Sequence, residues 1–434
     1  MTLFITNGKT SSIYTSNIQR FPIFAHLKKT DIVNENIISQ RIQHITESAT
    51  LEMTRRSREL KAKGIDVINL SIGEPDFNTP DPVKAAAKEA IDNNVTHYPP
   101  VAGFRILQEA IAEKLERDNG LHFSPEQIVV SNGAKQALAN IFLSILDPDD
   151  EVILAAPYWV SYADIIQLAG GKVKSIPTGI KDHFKLRPER LEEAINEKTK
   201  AFLFNSPSNP TGMVYSRDEM AALVNVLKKY PDILIISDEI YEHIHFSGTH
   251  ISMASFPEVK DQTVVVNGVS KCYAMTGWRI GYMAGPLFLA KACSKLQGQY
   301  TSGPGTISQM AALKAIQNPP QNSEYIQEMV TAFQKRRDML VEKLNEIPDV
   351  KTYMPEGAFY LFPDISAYFG KTDGETVIRD ATDLSIYLLE KAHVALVTGE
   401  AFGDANCVRI SYATSSHLLL EAVKRIKKAL SELN

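Results

Sequence analysis

The sequence predicts an α/β protein built on a doubly wound, mostly parallel sheet in a large domain, with a smaller α+β domain. Three observations carry this prediction. Short apolar runs of strand-forming residues alternate with helical patterns through most of the chain. The runs are continuous, with no in/out alternation, which is how a parallel strand buried on both faces reads. The last third changes character, with a long charged helical pattern and a closing amphipathic one.

Taken in order, the first strong helical pattern covers residues 48–63, and Gly64 stands where a helix commonly ends. A strand is expected at 65–70, then a turn at Gly73-Glu74-Pro75-Asp76. Ile128-Val129-Val130 leads into a helix over 134–146. A strand at 151–154 precedes a helix from about residue 161. A strand at 201–204 precedes a helix over 218–229, and 233–236 and 263–266 are further strands. Beyond them come a helix over 323–346, the run Phe359-Tyr360-Leu361-Phe362 and a helix over 382–391. In a last helix, 416–433, Leu419, Val423, Ile426 and Leu430 share one face, with Lys424, Lys427 and Lys428 off it. The expected organisation is an N-terminal extension over 1–37 that is disordered, a small domain from 38–80 together with 316–434, and a large domain over 81–315.

Composition excludes several function classes. The 434 residues carry Lys+Arg 46 and Asp+Glu 51, a net charge of −5, so no global basic field would hold nucleic acid. No apolar run approaches the roughly 20 residues that span a bilayer. Cys272, Cys293 and Cys407 are far apart in the sequence and odd in number, which argues against a disulfide framework or a four-ligand zinc site. Each reads as a small buried apolar residue, and a reducing, cytoplasmic location is expected. The first 30 residues hold Lys9, Arg20, Lys28 and Lys29 and no acid. A plain extension is preferred there over an organelle transit segment, which one Arg supports thinly.

In open α/β sheets, ligands bind at the carboxyl ends of strands, so the residues just after each strand are the ones to read. After 128–130 comes Ser131-Asn132-Gly133-Ala134-Lys135, a tight turn opening a helix whose free N–H groups suit an anion. Alone it reads as a routine turn. After 151–154 comes Trp159, which can stack on a flat ring or simply pack. After 201–204 comes Asn209-Pro210-Thr211-Gly212, a turn-forming stretch. Asp238 and Tyr241 follow 233–236, and a carboxylate at a buried strand end is costly unless it meets a cation or water. Lys271 follows 263–266, with Arg279 eight residues later. A lysine among small apolar residues can be desolvated into a nucleophilic amine, although any single Lys is more often a surface one. Together these strand ends offer an anion cradle, an aromatic plate, an Asn, a carboxylate with a Tyr, and a Lys with an Arg. That set meets the needs of pyridoxal phosphate.

The sequence here resembles the class I aminotransferases among the fold-type-I pyridoxal-phosphate enzymes, from about residue 48 to the C-terminus. The likeness rests on Gly73-Glu74-Pro75-Asp76, Asn209-Pro210-Thr211-Gly212, Ser237-Asp238-Glu239-Ile240-Tyr241, Ser270-Lys271 with Arg279, and Val408-Arg409-Ile410-Ser411-Tyr412. It is most similar to the bacterial-type aspartate aminotransferases. The resemblance implies pyridoxal phosphate as cofactor, with Lys271 as the Schiff-base lysine and proton shuttle. It implies Asp238 on the ring nitrogen, Tyr241 and Asn209 on the ring oxygen, and Trp159 stacked on the ring. Arg279 with the Gly133 and Ala134 backbone would hold the phosphate. Tyr98 resembles the tyrosine that reaches the neighbouring subunit's phosphate, which implies a homodimer with shared sites. Arg409 would clamp the substrate α-carboxylate, and Asn209, Trp159 and the Gly73 backbone would meet the substrate as well. Lys135 matches the cation for a second carboxylate, and Ser48 and Thr50 match hydroxyl residues that help close the site.

The implied reaction moves the amino group of aspartate to 2-oxoglutarate in a ping-pong cycle. Three other readings share the motifs: transfer from aromatic or other neutral amino acids, transfer to prephenate, and a pyridoxal-phosphate lyase. Prephenate is disfavoured because the relatives that take it resemble one another in a Lys two positions before Ser48, where this chain has Thr46. A degenerate, regulatory version of the fold is disfavoured by the intact set Lys271, Asp238, Arg279 and Arg409.

Overall fold

The computed structural model describes residues 37–43, 45 and 49–434. The extension expected over 1–37 lies, Ile37 apart, outside the described residues, and so do Thr46 and Ser48. The described residues 37–43 belong to a unit separate from the one that runs to Asn434. The described part of the first is a single helical turn, Gln40–Gln43, with no buried residue.

In the second unit the helix Ala49–Ala62 is followed by Gly64 at φ +83°, the left-handed conformation that glycine adopts freely. The strand expected at 65–70 narrows to β1 (Ile68–Asn69). It pairs in parallel with a strand far along the chain, β10 (Val394–Ala395), and is only as long as that partner.

The main sheet contains β2 (Ile128–Ser131), β3 (Glu151–Ala156), β4 (Lys172–Pro177), β5 (Thr199–Asn205), β6 (Leu234–Asp238), β7 (Thr263–Gly268) and β8 (Gly281–Ala284). Their spatial order is β2-β8-β7-β6-β5-β3-β4. All pairings are parallel except those of β8, which runs antiparallel to both β2 and β7.

The apolar runs are continuous because both faces are covered. Ile128, Val130 and Tyr282 pack on one side against Leu107 and Ile111 of the helix Arg105–Asn119. Val129, Val266 and Met283 pack on the other against Leu138, Ile141 and Phe142 of the helix Ala134–Ile145. Two strands of this sheet escaped the pattern reading. β4 is an edge strand with one fully buried residue, its Lys172 and Lys174 giving no apolar run. β8 begins with a glycine and is four residues long.

The C-terminal third adds the helix Glu324–Asn345, a three-stranded sheet of β9 (Tyr360–Leu361), β11 (Val397–Thr398) and β12 (Val408–Ser411), and the final helix Ser416–Leu430. Ile68 and Leu70 are buried in one cluster with Phe333, Phe359, Tyr412 and Leu419, so the segment before Pro80 packs with this part of the chain. The helix expected over 382–391 is an α-helix only at Ala381–Tyr387 and continues as a π-turn over Leu388–Ala392. The three cysteines are free and buried. Among the described residues no helix is long and apolar enough to cross a membrane.

Candidate active site

A cavity of about 310 Å³ opens where the carboxyl ends of the parallel strands face the C-terminal third. Its floor follows from strand register. Asn205 and Asp238, the last residues of β5 and β6, are direct partners across the sheet. Asn205 Nδ2 donates to the Asp238 carbonyl at 2.9 Å, and Asn205 Oδ1 accepts the Asn209 N–H at 3.0 Å. One asparagine thus ties the Asn209 turn to the end of β6.

Asp238 is 3 % exposed. Its carboxylate accepts the Tyr162 hydroxyl at 2.7 Å and the Ile240 N–H at 3.2 Å. Burial raises its pKa to about 6, against the pull of those hydrogen bonds. The group is therefore poised to accept a cationic partner from the cavity.

Lys271 follows β7, in a turn closed by the Met275 N–H donating to the Ser270 carbonyl. Its Nζ donates to the Gly73 carbonyl at 2.6 Å. It lies 5.7 Å from the Tyr241 ring and 5.8 Å from the Phe359 ring. Burial first, and the Arg409 charge second, bring its pKa down to about 8, which raises the fraction of free amine near neutral pH.

On one side, Gly133 caps the helix Ala134–Ile145 at φ +83° and ψ 161°. A Cβ there would lie 2.1 Å from Arg279 Nη2. The guanidinium occupies that space, donating to the carbonyls of Thr276 at 2.9 Å and Asn132 at 3.2 Å. Arg279 itself has φ +57°. Gly281 opens β8 directly beneath, and a Cβ on it would strike the Ala134 nitrogen at 2.1 Å. The two glycines thus let a helix N-terminus and an arginine converge, which is an anion site by charge and by N–H supply.

Trp159 stands edge-on to Tyr162, ring centres 5.2 Å apart, and Lys135 Nζ lies 4.9 Å above its ring. Burial and the nearby Arg279 lower the Lys135 pKa.

Opposite, Arg409 of β12 is 2 % exposed and lies between the rings of Tyr360 and Phe402, at 4.7 and 4.9 Å. Its Nη2 donates to the Ser71 carbonyl at 2.6 Å and its Nη1 to Asn209 Oδ1 at 3.1 Å. Its Nε is buried with no hydrogen-bond partner among the described residues. No carboxylate among the described residues forms an ion pair with it, so a buried cation faces the cavity uncompensated.

The cavity thus brings together Gly73, Ala134, Lys135, Trp159, Asn209, Asp238, Tyr241, Lys271, Arg279, Arg409 and Thr50, all expected from sequence. Gly133 stands behind Arg279 rather than on the wall. Tyr98 is not brought to the cavity of its own chain and is 94 % exposed. Sequence reasoning missed Tyr162, Asn205 and Tyr360, all of which line the cavity. Tyr162 had a signal, lying three residues after Trp159 at the start of a helix, and Asn205 is the last residue of β5. Tyr360 had none, because in 359–362 it reads as core.

A family model for class I and II aminotransferases matches residues 65–426. The chain is 49% identical over 393 residues to an aspartate/prephenate aminotransferase of Cereibacter sphaeroides, covering 90% of this chain and 98% of that one. It is 44% identical over 427 residues to the bifunctional aspartate aminotransferase and glutamate/aspartate-prephenate aminotransferase of Petunia hybrida, covering 98% of this chain and 89% of that one. Among solved structures, the aspartate aminotransferase of Rhizobium meliloti superposes with a TM-score of 0.88 at 44% identity, over 92% of this chain and 99% of that one. That of Thermus thermophilus with maleate gives 0.85 at 41%, over 90% and 99%. With the fold, the cavity and these likenesses in agreement, the chain belongs to the class I and II aminotransferase family.

Proposed function

We propose that the chain is a pyridoxal-phosphate-dependent aminotransferase that moves the α-amino group of L-aspartate to 2-oxoglutarate. The observation that carries it is a pair of buried charges facing one cavity, the Asp238 carboxylate and the Arg409 guanidinium, neither of which forms an ion pair among the described residues. A ring with a basic nitrogen answers the first and a substrate α-carboxylate the second. The cradle at Gly133, filled by Arg279, fits a phosphate. These residues fit the cofactor.

Asp238, held by Tyr162, would keep the ring nitrogen protonated. Tyr241 and Asn209 would hydrogen-bond the ring oxygen, and Trp159 would cover a ring face. Pyridoxal phosphate, when bound, supplies the aldehyde that takes up the amino group and a ring that withdraws electrons from the substrate α-carbon. Arg409 would bind the α-carboxylate through paired N–H groups and fix the α-hydrogen towards Lys271. Lys271, with its amine near pKa 8, is the base that removes that proton. Lys135 over Trp159 would take the second carboxylate and so favour an acidic substrate. Thr50 stands at the cavity wall and would help to close it. Oxaloacetate leaves, and 2-oxoglutarate departs as glutamate in the second half of the cycle.

The exposed Tyr98 supports a homodimer in which each subunit lends this residue to the other's phosphate. Free buried thiols suit a reducing, cytoplasmic setting. Several relatives bear names that include prephenate, among them that of Cereibacter sphaeroides, so prephenate is a second acceptor to test beside 2-oxoglutarate.

The test is an absorbance titration of the protein reconstituted with pyridoxal phosphate. Aspartate is expected to bleach the visible band, and 2-oxoglutarate to restore it. Bleaching by neutral or aromatic amino acids alone would discard the role given to Lys135. Absence of any band would discard the role given to Lys271.

A further inference from the structure

Tyr360 is completely buried on β9, and three parts of the site meet on it. Its hydroxyl lies 2.8 Å from the Tyr241 hydroxyl. Its ring faces the Arg409 guanidinium at 4.7 Å. Its oxygen would be 2.7 Å from a Cβ on Gly73, the residue whose carbonyl receives the Lys271 amine. No role has yet been given to it.

Two phenols in contact share one hydrogen bond and have two hydrogens. One O–H is spent between them, and the other points elsewhere. The charged groups around the pair are Arg409 from β12, Lys271 beyond β7, Asp238 at the end of β6 and Glu74 in the turn after β1. An anionic oxygen arriving in the cavity decides which phenol donates outward. Both phenols line the cavity, but Tyr241 is the one whose ring lies beside Lys271, so its hydrogen turns to the anion and Tyr360 supplies the internal bond. A hydroxyl that accepts a hydrogen bond is a stronger donor in turn.

Resting on the cofactor reading above, we propose that Tyr360 is a positioning residue for Tyr241. Its hydroxyl donates to the Tyr241 oxygen, aims the Tyr241 O–H at the ring oxygen of the bound cofactor, and strengthens that bond.

The test is the pH titration of the visible absorbance band in the reconstituted, substrate-free enzyme. Wild type, Tyr360→Phe, Tyr241→Phe and the double variant are compared. Tyr360→Phe keeps the ring and its contact with Phe359, at 4.8 Å between ring centres. Its midpoint is expected to rise by roughly half a pH unit, because the donor that stabilises the ring oxyanion is weakened. Tyr241→Phe raises it further, and the double variant matches Tyr241→Phe alone, since Tyr360 acts only through Tyr241. A core role for Tyr360 would move the melting temperature without moving this midpoint. An unmoved midpoint in Tyr360→Phe, or a double variant showing the sum of both shifts, overturns the assignment while leaving the cofactor reading intact. A wild-type protein that takes up no pyridoxal phosphate overturns both.

Discussion

Replacing Gly133 by alanine adds one methyl group where the structure has no room for it. The new Cβ would lie 2.1 Å from Arg279 Nη2 and 2.7 Å from its Cζ, against about 3.5 Å or more for an ordinary contact. The guanidinium must therefore retreat by more than 1 Å, losing its reach towards an anion at the helix start. A hydrogen bond to a charged group contributes about 1.5–3 kcal/mol. Its loss corresponds to roughly 10- to 150-fold weaker binding of pyridoxal phosphate. The backbone at φ +83° and ψ 161° costs a further ~1–3 kcal/mol of stability for any residue with a Cβ. Equilibrium titration of the cofactor-free protein, read by absorbance, measures the affinity, and thermal unfolding measures the stability. Gly64→Ala is the control, because Gly64 has the same φ but nothing within 4 Å of its Cβ position. It should lose stability and keep its cofactor affinity. Pyridoxal without the phosphate should bind wild type and Gly133→Ala alike. A Gly133→Ala protein that binds pyridoxal phosphate within twofold of wild type would refute the convergence of Gly133 and Arg279 on a phosphate.

Three other outcomes are expected. Arg409→Leu should lower kcat/KM for aspartate by on the order of 10²- to 10³-fold, since it leaves a carboxylate without its buried partner; a fall below tenfold in steady-state assays would count against the clamp. Lys135→Ala should cut kcat/KM for aspartate by roughly 10- to 100-fold while changing that for alanine only a few-fold; equal losses would show that Lys135 does not discriminate. In the cofactor-free protein, the Lys271 pKa falls from 10.5 unfolded to about 8 folded. The unfolded chain then holds the extra proton between these values, so stability rises with pH across about 8 to 10.5. Below pH 8 the buried charge costs about 3 kcal/mol. Lys271→Met should therefore be the more stable protein at pH 7, with the gap closing by pH 10.5 in denaturant titrations; a gap independent of pH would contradict the buried, charged amine.

How much of this was legible depended on where the physics lies. The central strands announced themselves because burial on both faces demands uninterrupted apolar residues, as at Val264-Val265-Val266. The strand-end residues Asp238 and Lys271 stood out because their chemistry is costly inside a protein. Edge strand β4 carries no such demand, and β1 and β9, two residues each, are defined only by their partners. Tyr162 and Tyr360 act through contacts with Asp238 and Tyr241 that are 76 and 119 residues away in the chain, a separation that local patterns do not report. Tyr98 points to a surface that a single chain leaves bare.

The bond from Arg409 to the Ser71 carbonyl spans 338 residues. Ile68 and Leu70, whose N–H groups donate to the carbonyls of His393 and Ala395, wait almost as long for their strand partner. At a ribosomal pace of about 5–20 residues per second, the interval between synthesis of Ser71 and of Arg409 is roughly 20–70 s. The main sheet, complete by Ala284, can close during that time, whereas the cavity wall that holds Arg409 cannot. The nascent chain therefore carries an apolar segment around residue 68 whose strand partner is missing until the last strands emerge, and this is the stage at which holding by a chaperone would matter most.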